Sequence, residues 1–184
     1  MDLVTDPVRE VTRDAVVTAD GTEHPVDTII LGTGFAASAP PIARGVTGAD
    51  GRTLAQHWAG SPRAYLGSTV AGFPNLFVIV GPNTGLGHSS MIFMIESQCN
   101  YIVDACKTMA ARGFDTFTVD PAAVETFNDD LQSQLAHTVW NSGCSSWYLD
   151  ASGRNSSLWP DFTWRYRRRT RHFDADRYSL TRLS

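Results

Sequence analysis

The chain has 184 residues, a formal net charge of −4 and 42% hydrophobic residues. That describes an ordinary globular chain of about one domain, neither disordered nor fibrous. The mildly acidic balance argues against general nucleic-acid binding, which needs a basic footprint to neutralise phosphates. The longest apolar run, around residues 76–80, is far too short to cross a bilayer. Met1-Asp2-Leu3 opens no signal-like segment, so nothing points to export. Cys99, Cys106 and Cys144 are odd in number and lack CxxC spacing. This fits a reducing, cytoplasmic setting and argues against a disulfide framework or metal cluster.

In chain order, Val8 to Thr12 and Ala15 to Thr18 are short β-prone runs, and Asp20-Gly21 offers a turn before a further extended segment. They predict a small antiparallel meander. It leads into Val26 to Leu31, an apolar run that reads as a strand buried on both faces. Residues 36–72 are rich in glycine and proline and read as loop, with a short helix around 53–58. Asn75 to Val80 is a second buried-strand candidate, stopped by Gly81-Pro82.

The strongest helix signal runs from about His88 to Arg112. Ile92, Ile95, Cys99, Ile102, Val103, Cys106 and Met109 recur at three and four residues and predict its buried stripe. Ser89 or Ser90 suits its start and Gly113 its end. After a strand at 116–119, Asp120-Pro121 predicts an N-cap and first turn for a helix reaching about Trp140. From Asn141 the chain reads as loop, aromatic-rich and ending in an Arg-dense stretch from Arg165 to Arg171. We expect segments at 1–35 (meander and returning strand), 36–72 (connection), 73–140 (strand, glycine loop and helices) and 141–184 (lid and tail). The strands have parallel-sheet character, but the βα units are too few for a complete doubly wound domain.

The best functional signal is the run from the second strand through Gly81-Pro82-Asn83-Thr84-Gly85-Leu86-Gly87 into the long helix. Free amides and the positive helix end would converge near Thr84 to Ser90 and suit a phosphate, a carboxylate or a polarised ring carbonyl. The bland alternative is a tight strand-to-helix connection. Gly32-Thr33-Gly34-Phe35-Ala36-Ala37 matches a dinucleotide fingerprint, but Pro40-Pro41 stops the helix that fingerprint needs. Gly87-His88-Ser89-Ser90 approaches a nucleophile elbow, with His137 or His172 as base, but Met91 stands where the elbow needs glycine. A serine hydrolase through Ser89 is therefore a distant alternative.

Three blocks carry a family resemblance. Asp27 to Phe35 resembles the D-x-x-I-x-A-T-G-F segment of flavin-containing and Baeyer–Villiger monooxygenases. Gly72-Phe73-Pro74-Asn75-Leu76-Phe77 is similar to their G-F-P-N-L-F strand. Gly81 to Ser90, followed by Glu96 and Gln98, is similar to their flavin-proximal loop and helix. Ser145-Ser146-Trp147-Tyr148 resembles their late S-W-Y segment. The blocks keep the family order over nearly the whole chain.

The resemblance implies the C-terminal part of an incomplete FAD/NAD(P)-binding Rossmann-like α/β fold. The whole enzyme would use FAD and NADPH, and its reduced flavin would deliver one oxygen atom of O₂ to a ketone or a soft heteroatom in a small-molecule substrate. Gly81, Pro82, Asn83, Thr84, Gly85, Leu86, Gly87 and His88 would line the flavin ring. Thr33 and Gly34 would sit where the chain returns to the FAD domain, and Trp147 near nicotinamide and substrate. The family's two dinucleotide glycine motifs and its F-x-G-x-x-x-H-x-x-x-W fingerprint are not found in these residues. The chain is therefore expected to be inactive without a missing N-terminal region, which could also reach it as a partner chain. A non-catalytic accessory module is the runner-up. Apolar faces on the Ile29 and Phe77 strands are expected to drive association. Arg165, Arg167, Arg168, Arg169 and Arg171 read as a solvated edge, or as pairing with Asp174 and Asp176, rather than as a seat for the NADPH 2′-phosphate. Arg63 and Tyr65 read as residues that fix the long loop.

Overall fold

The computed structural model describes residues 2–32, 39–141, 146 and 148–182. Thr33, Gly34 and Trp147 lie outside the described residues. The chain divides into two units, Met1–Gly34 and Phe35–Ser184.

The first unit is the expected meander. Strands β1 (Val8–Val11), β2 (Ala15–Thr18) and β3 (Glu23–Pro25) pair antiparallel in the order β1-β2-β3. A bulge shifts the β1–β2 register between Val8 and Glu10. The turn is built by Asp20, whose carboxylate accepts from the Thr18 hydroxyl at 2.6 Å and the Thr22 amide at 3.0 Å, while Gly21 takes φ +88°. Those donors pull the Asp20 carboxyl down to about 2. Because the folded-state value is depressed, this stabilisation is present above pH 4 and is lost as pH falls toward 2. The run from Val26 to Leu31 forms no strand, contrary to the sequence expectation, and Ile30 and Leu31 are 91% and 78% exposed. A buried strand needs neighbours to satisfy its backbone, and no described strand pairs with this run.

The second unit has two cores. The smaller one gives the 36–72 connection its order: helix α1 (Leu54–Trp58) packs Leu54 and Trp58 against Ala64, Val70 and Phe73. Thr53 and Gln56 form a reciprocal capping box at its start. Replacing Thr53 with Ala is expected to cost about 1 kcal/mol in denaturant titration.

The larger core packs around helix α2 (Met91–Arg112), strand β4 (Thr116–Val119) and helix α3 (Pro121–Leu135). Gly113 ends α2 at φ +65°, and Asp120 caps α3 through the Ala122 amide at 3.0 Å with Pro121 in its first turn. Ser90 occupies the N-cap position of α2 but makes no side-chain cap. α3 stops at Leu135, short of Trp140, because the Thr138 amide and hydroxyl turn back onto the Leu135 carbonyl.

The C-terminal stretch is more regular than its composition suggested. Helix α4 (Thr163–Arg169) packs on α2, and strand β5 (Tyr178–Thr181) pairs antiparallel with β4, Phe117 opposite Leu180. Tyr166 anchors α4, its buried hydroxyl donating to the Leu66 carbonyl at 2.7 Å. The Asn75 to Val80 run is also not a strand. Asn75 sits at φ +59° and brackets Phe117 with two hydrogen bonds, its amide to the Phe117 carbonyl and its side-chain oxygen to the Phe117 amide.

The buried face of α2 differs from the expected stripe. Met94, Ser97, Gln98, Tyr101, Ala105 and Met109 are buried, whereas Ile92 and Val103 are 64% and 51% exposed and Cys99 and Cys106 are exposed. The inward polar groups are bonded, which removes their burial penalty. Tyr101 donates to Asp174 at 2.5 Å and meets the Tyr178 hydroxyl at 2.8 Å; Tyr65 donates to the other Asp174 oxygen. Burial of these phenols pushes Tyr65, Tyr101 and Tyr178 above the usual tyrosine range. Among the described residues, no helix is long and apolar enough to cross a membrane.

Candidate functional site

The glycine loop is built by contacts within the second unit. Thr84 folds it into a turn, its hydroxyl donating to the Gly81 carbonyl at 2.7 Å, and Asn83 takes φ +57°. Val80 just before it also has a positive φ, +56°, a strained state for a β-branched residue. A Cβ on Gly81 would lie 2.2 Å from the Gly67 carbonyl oxygen, so the loop lies backbone to backbone on the Gly67 turn. Gln98, fully buried on α2, ties both sides together. Its amide nitrogen donates to Ser68 Oγ at 2.9 Å and the Gly67 carbonyl at 3.2 Å, and its oxygen accepts from the Val80 amide at 2.9 Å.

The far side of the loop is held by residues that sequence reasoning passed over. The Asn83 amide donates to the Ser156 carbonyl at 2.9 Å and the Gly85 amide to Ser157 at 2.8 Å, while Trp159 donates back to Gly85 at 2.9 Å. The Asn83 side chain donates to the carbonyls of Asn155 (2.7 Å) and Leu158 (3.0 Å). Residues 155–159 thus run alongside the loop. The polar run Arg154-Asn155-Ser156-Ser157 is the sequence signal that marks them as turn formers, but it does not say what they pair with.

This corrects part of the expectation of free amides near Thr84 to Ser90: those of Thr84 and Gly85, like that of Asn83 before them, are not free, because the chain itself accepts from them. The amides of Leu86, Gly87, His88, Ser89 and Ser90 donate to no described group. Gly81, Pro82, Gly85 and Leu86 line a largely apolar cavity of about 750 Å³, closed by Val80, Met91, Leu158 and Tyr148. Asn83 and Thr84 are buried beneath it and hold its shape. Gly87 lies under the Trp140 indole, where a Cβ would come within 2.6 Å of the ring, and Trp140 meets the Tyr148 ring edge-on at 5.6 Å. His88 is exposed.

Two buried side-chain polar atoms among the described residues lack a partner, Asn83 Oδ1 and Ser156 Oγ. Ser156 lines the cavity, while its Oγ is itself enclosed by the chain. A largely apolar wall with loop amides at its edge fits one face of a flavin ring. The residues that would cradle its diphosphate are not among those described.

Several candidates separate from this site. Tyr65 and Gln98 fix the frame, as their hydrogen bonds show, while Glu96 is exposed and lies 3.8 Å from Arg167. The five arginines are exposed, as a solvated edge is, and it is the pairing alternative that differs. Arg165 bonds Asp161 at 3.1 Å, and Asp174 is taken by the two tyrosines. Ser89, His137 and His172 are exposed; His172 lies 3.9 Å from Asp104, and no described histidine bonds Ser89. Among the described residues no group of three metal-ligating side chains gathers.

No family model matches the chain. It is 52% identical over 182 residues to a Baeyer–Villiger monooxygenase of Pseudomonas aeruginosa, covering 97% of this chain. It is 50% identical over 184 residues to a Baeyer–Villiger monooxygenase of Streptomyces coelicolor, covering 99%. By sequence, the chain is a portion of a Baeyer–Villiger-type monooxygenase. It spans about a third of those relatives' length, 34% and 36%. Its fold superposes on 34% of a closed cyclohexanone monooxygenase structure, with a TM-score of 0.80, 30% identity and 97% of this chain covered. A structure of an OTEMO complex with FAD and NADP matches with a TM-score of 0.79 and 25% identity, over 95% of this chain and 33% of that one. The mixed α/β architecture with small antiparallel sheets is therefore that of the Baeyer–Villiger flavoproteins.

Proposed function

We propose that this chain forms the flavin-side wall of an FAD- and NADPH-dependent monooxygenase that transfers one oxygen atom of O₂ to a ketone or a soft heteroatom. The observation that carries this reading is the cavity itself. The glycine loop and residues 156–158 line about 750 Å³ of largely apolar space. Flavin supplies the electrons and the oxygen chemistry when bound. The chain's own residues do the rest. Val80, Leu86 and Leu158 exclude water, which strengthens each electrostatic contact inside. The amides from Leu86 to Ser90 are donors for negative charge on a reduced ring. Gln98 and Asn83 keep the wall in place. In this reading Gly81 to Leu86 bear on the flavin, Gly87 and His88 stand at its edge, and Thr33, Gly34 and Trp147 belong to the cofactor and substrate surroundings.

The same reading makes the chain dependent on a region carrying the dinucleotide glycine motifs. FAD titrated into the 184-residue chain, followed by flavin fluorescence, is expected to show no saturable micromolar binding. Saturable binding that Gly85→Val weakens would overturn the dependence and leave the wall standing. A second reading, an accessory module for a partner chain, is favoured by the exposed apolar groups Ile92, Cys99, Val103 and Cys106 on one side of α2.

A further inference from the structure

The chain as a whole carries −4, yet one groove in it is strongly basic. Between α2 and α4, Lys107, Arg167, Arg168, Arg171 and His172 surround about 550 Å³. Two of these side chains are engaged. Arg167 lies 3.8 Å from Glu96 and 4.6 Å over the Phe93 ring, and His172 lies 3.9 Å from Asp104. Asp104 is the carboxylate inside the groove, and it already accepts from the Phe173 amide at 2.7 Å. Lys107, Arg168 and Arg171 have no carboxylate partner among the described residues. Their neighbours are the exposed Asn100 and the Trp164 ring, which is 52% exposed and has the Arg168 guanidinium 6.0 Å from its centroid.

We propose that this groove binds a diphosphate group, either free or carried by a nucleotide. Three unpaired cations on separate elements repel one another, and a compact multivalent anion relieves that repulsion better than one carboxylate does. Lys107 comes from α2, Arg168 from α4 and Arg171 from the turn after it, so they converge from two walls on one volume instead of running along a line. Guanidinium groups bind phosphoryl oxygens in pairs, and the ammonium adds a point charge. The Trp164 ring is stacked with Phe162 at 6.2 Å and has the Arg165 guanidinium over it at 5.2 Å, and its remaining exposed surface is where a base would stack. The groove shares no lining residue with the flavin-side cavity, so it stands apart from the reading above.

The test is calorimetric titration of the 184-residue chain with inorganic diphosphate and with ADP. Saturable binding is expected for at least one of them, weakened about tenfold or more in the double variant Arg168→Ala/Arg171→Ala and by raised salt. These residues are exposed, so the variant's melting temperature is expected to stay unchanged. Equal affinities for the two probes would assign the groove to free diphosphate. Tighter ADP binding that Trp164→Leu reduces would assign it to a nucleotide. The proposal falls if neither probe saturates, if the double variant binds as well as the parent, or if a short polyglutamate peptide binds as tightly as either probe.

Discussion

Gly67→Ala is expected to destabilise the chain by about 3 kcal/mol in denaturant titration. Two effects add. Gly67 sits at φ +62°, where any side chain costs about 1 kcal/mol or more. The new Cβ would also lie 2.1 Å from Thr84 Cγ2 and 2.8 Å from the Pro82 carbonyl oxygen, an overlap that forces the glycine loop away. The second effect can be isolated. Thr84→Ser removes the clashing methyl and keeps the hydroxyl that donates to Gly81 at 2.7 Å, so the double variant should recover about half of the loss. A Gly67→Ala variant within about 0.5 kcal/mol of the parent would mean that the two turns are not in contact.

Gln98→Leu is expected to cost about 3 kcal/mol although the volume is nearly conserved. The Val80 amide, the Gly67 carbonyl and Ser68 Oγ would each lose a partner in the interior. Glu96→Gln, two residues away, is expected to change stability by less than about 0.5 kcal/mol, since its contact with Arg167 is exposed and 3.8 Å long. Similar losses from the two substitutions would contradict the clamp.

That contrast shows where the sequence was legible. Caps are local signals, so Gly113 and the Asp120-Pro121 pair marked helix ends that the structure places at those residues. The Asp20-Gly21 turn and its meander were legible for the same reason. Pairing is not local. Val26 to Leu31 and Asn75 to Val80 have the composition of buried strands, but among the described residues neither forms a ladder with a strand, and β5 pairs with β4 from about sixty residues away. The stripe on α2 misled because both sides of that helix carry apolar groups. What selects the buried side is the bonding of Ser97, Gln98 and Tyr101 to Phe93, Ser68 and Asp174, and the last two partners lie in distant segments. The glycine loop was recognised by its residues, and its partner at 155–159 was not. Free loop amides were expected near Thr84 to Ser90, and the folded chain itself uses those of Thr84 and Gly85.

The central claim is that the cavity beside Gly81 and Leu86 faces the flavin. The most direct measurement replaces the matching stretch of the Pseudomonas aeruginosa relative, which is 52% identical over 182 residues, with this chain. FAD retained after gel filtration and NADPH oxidation are then measured with and without Ile79→Trp. Ile79 lines the cavity and is 46% exposed, so the added ring fills the space without disturbing a core. The account predicts a chimera that holds FAD and oxidises NADPH, and a variant that loses both while melting within a few degrees of the parent. A folded variant that keeps its FAD and its NADPH oxidation would contradict it.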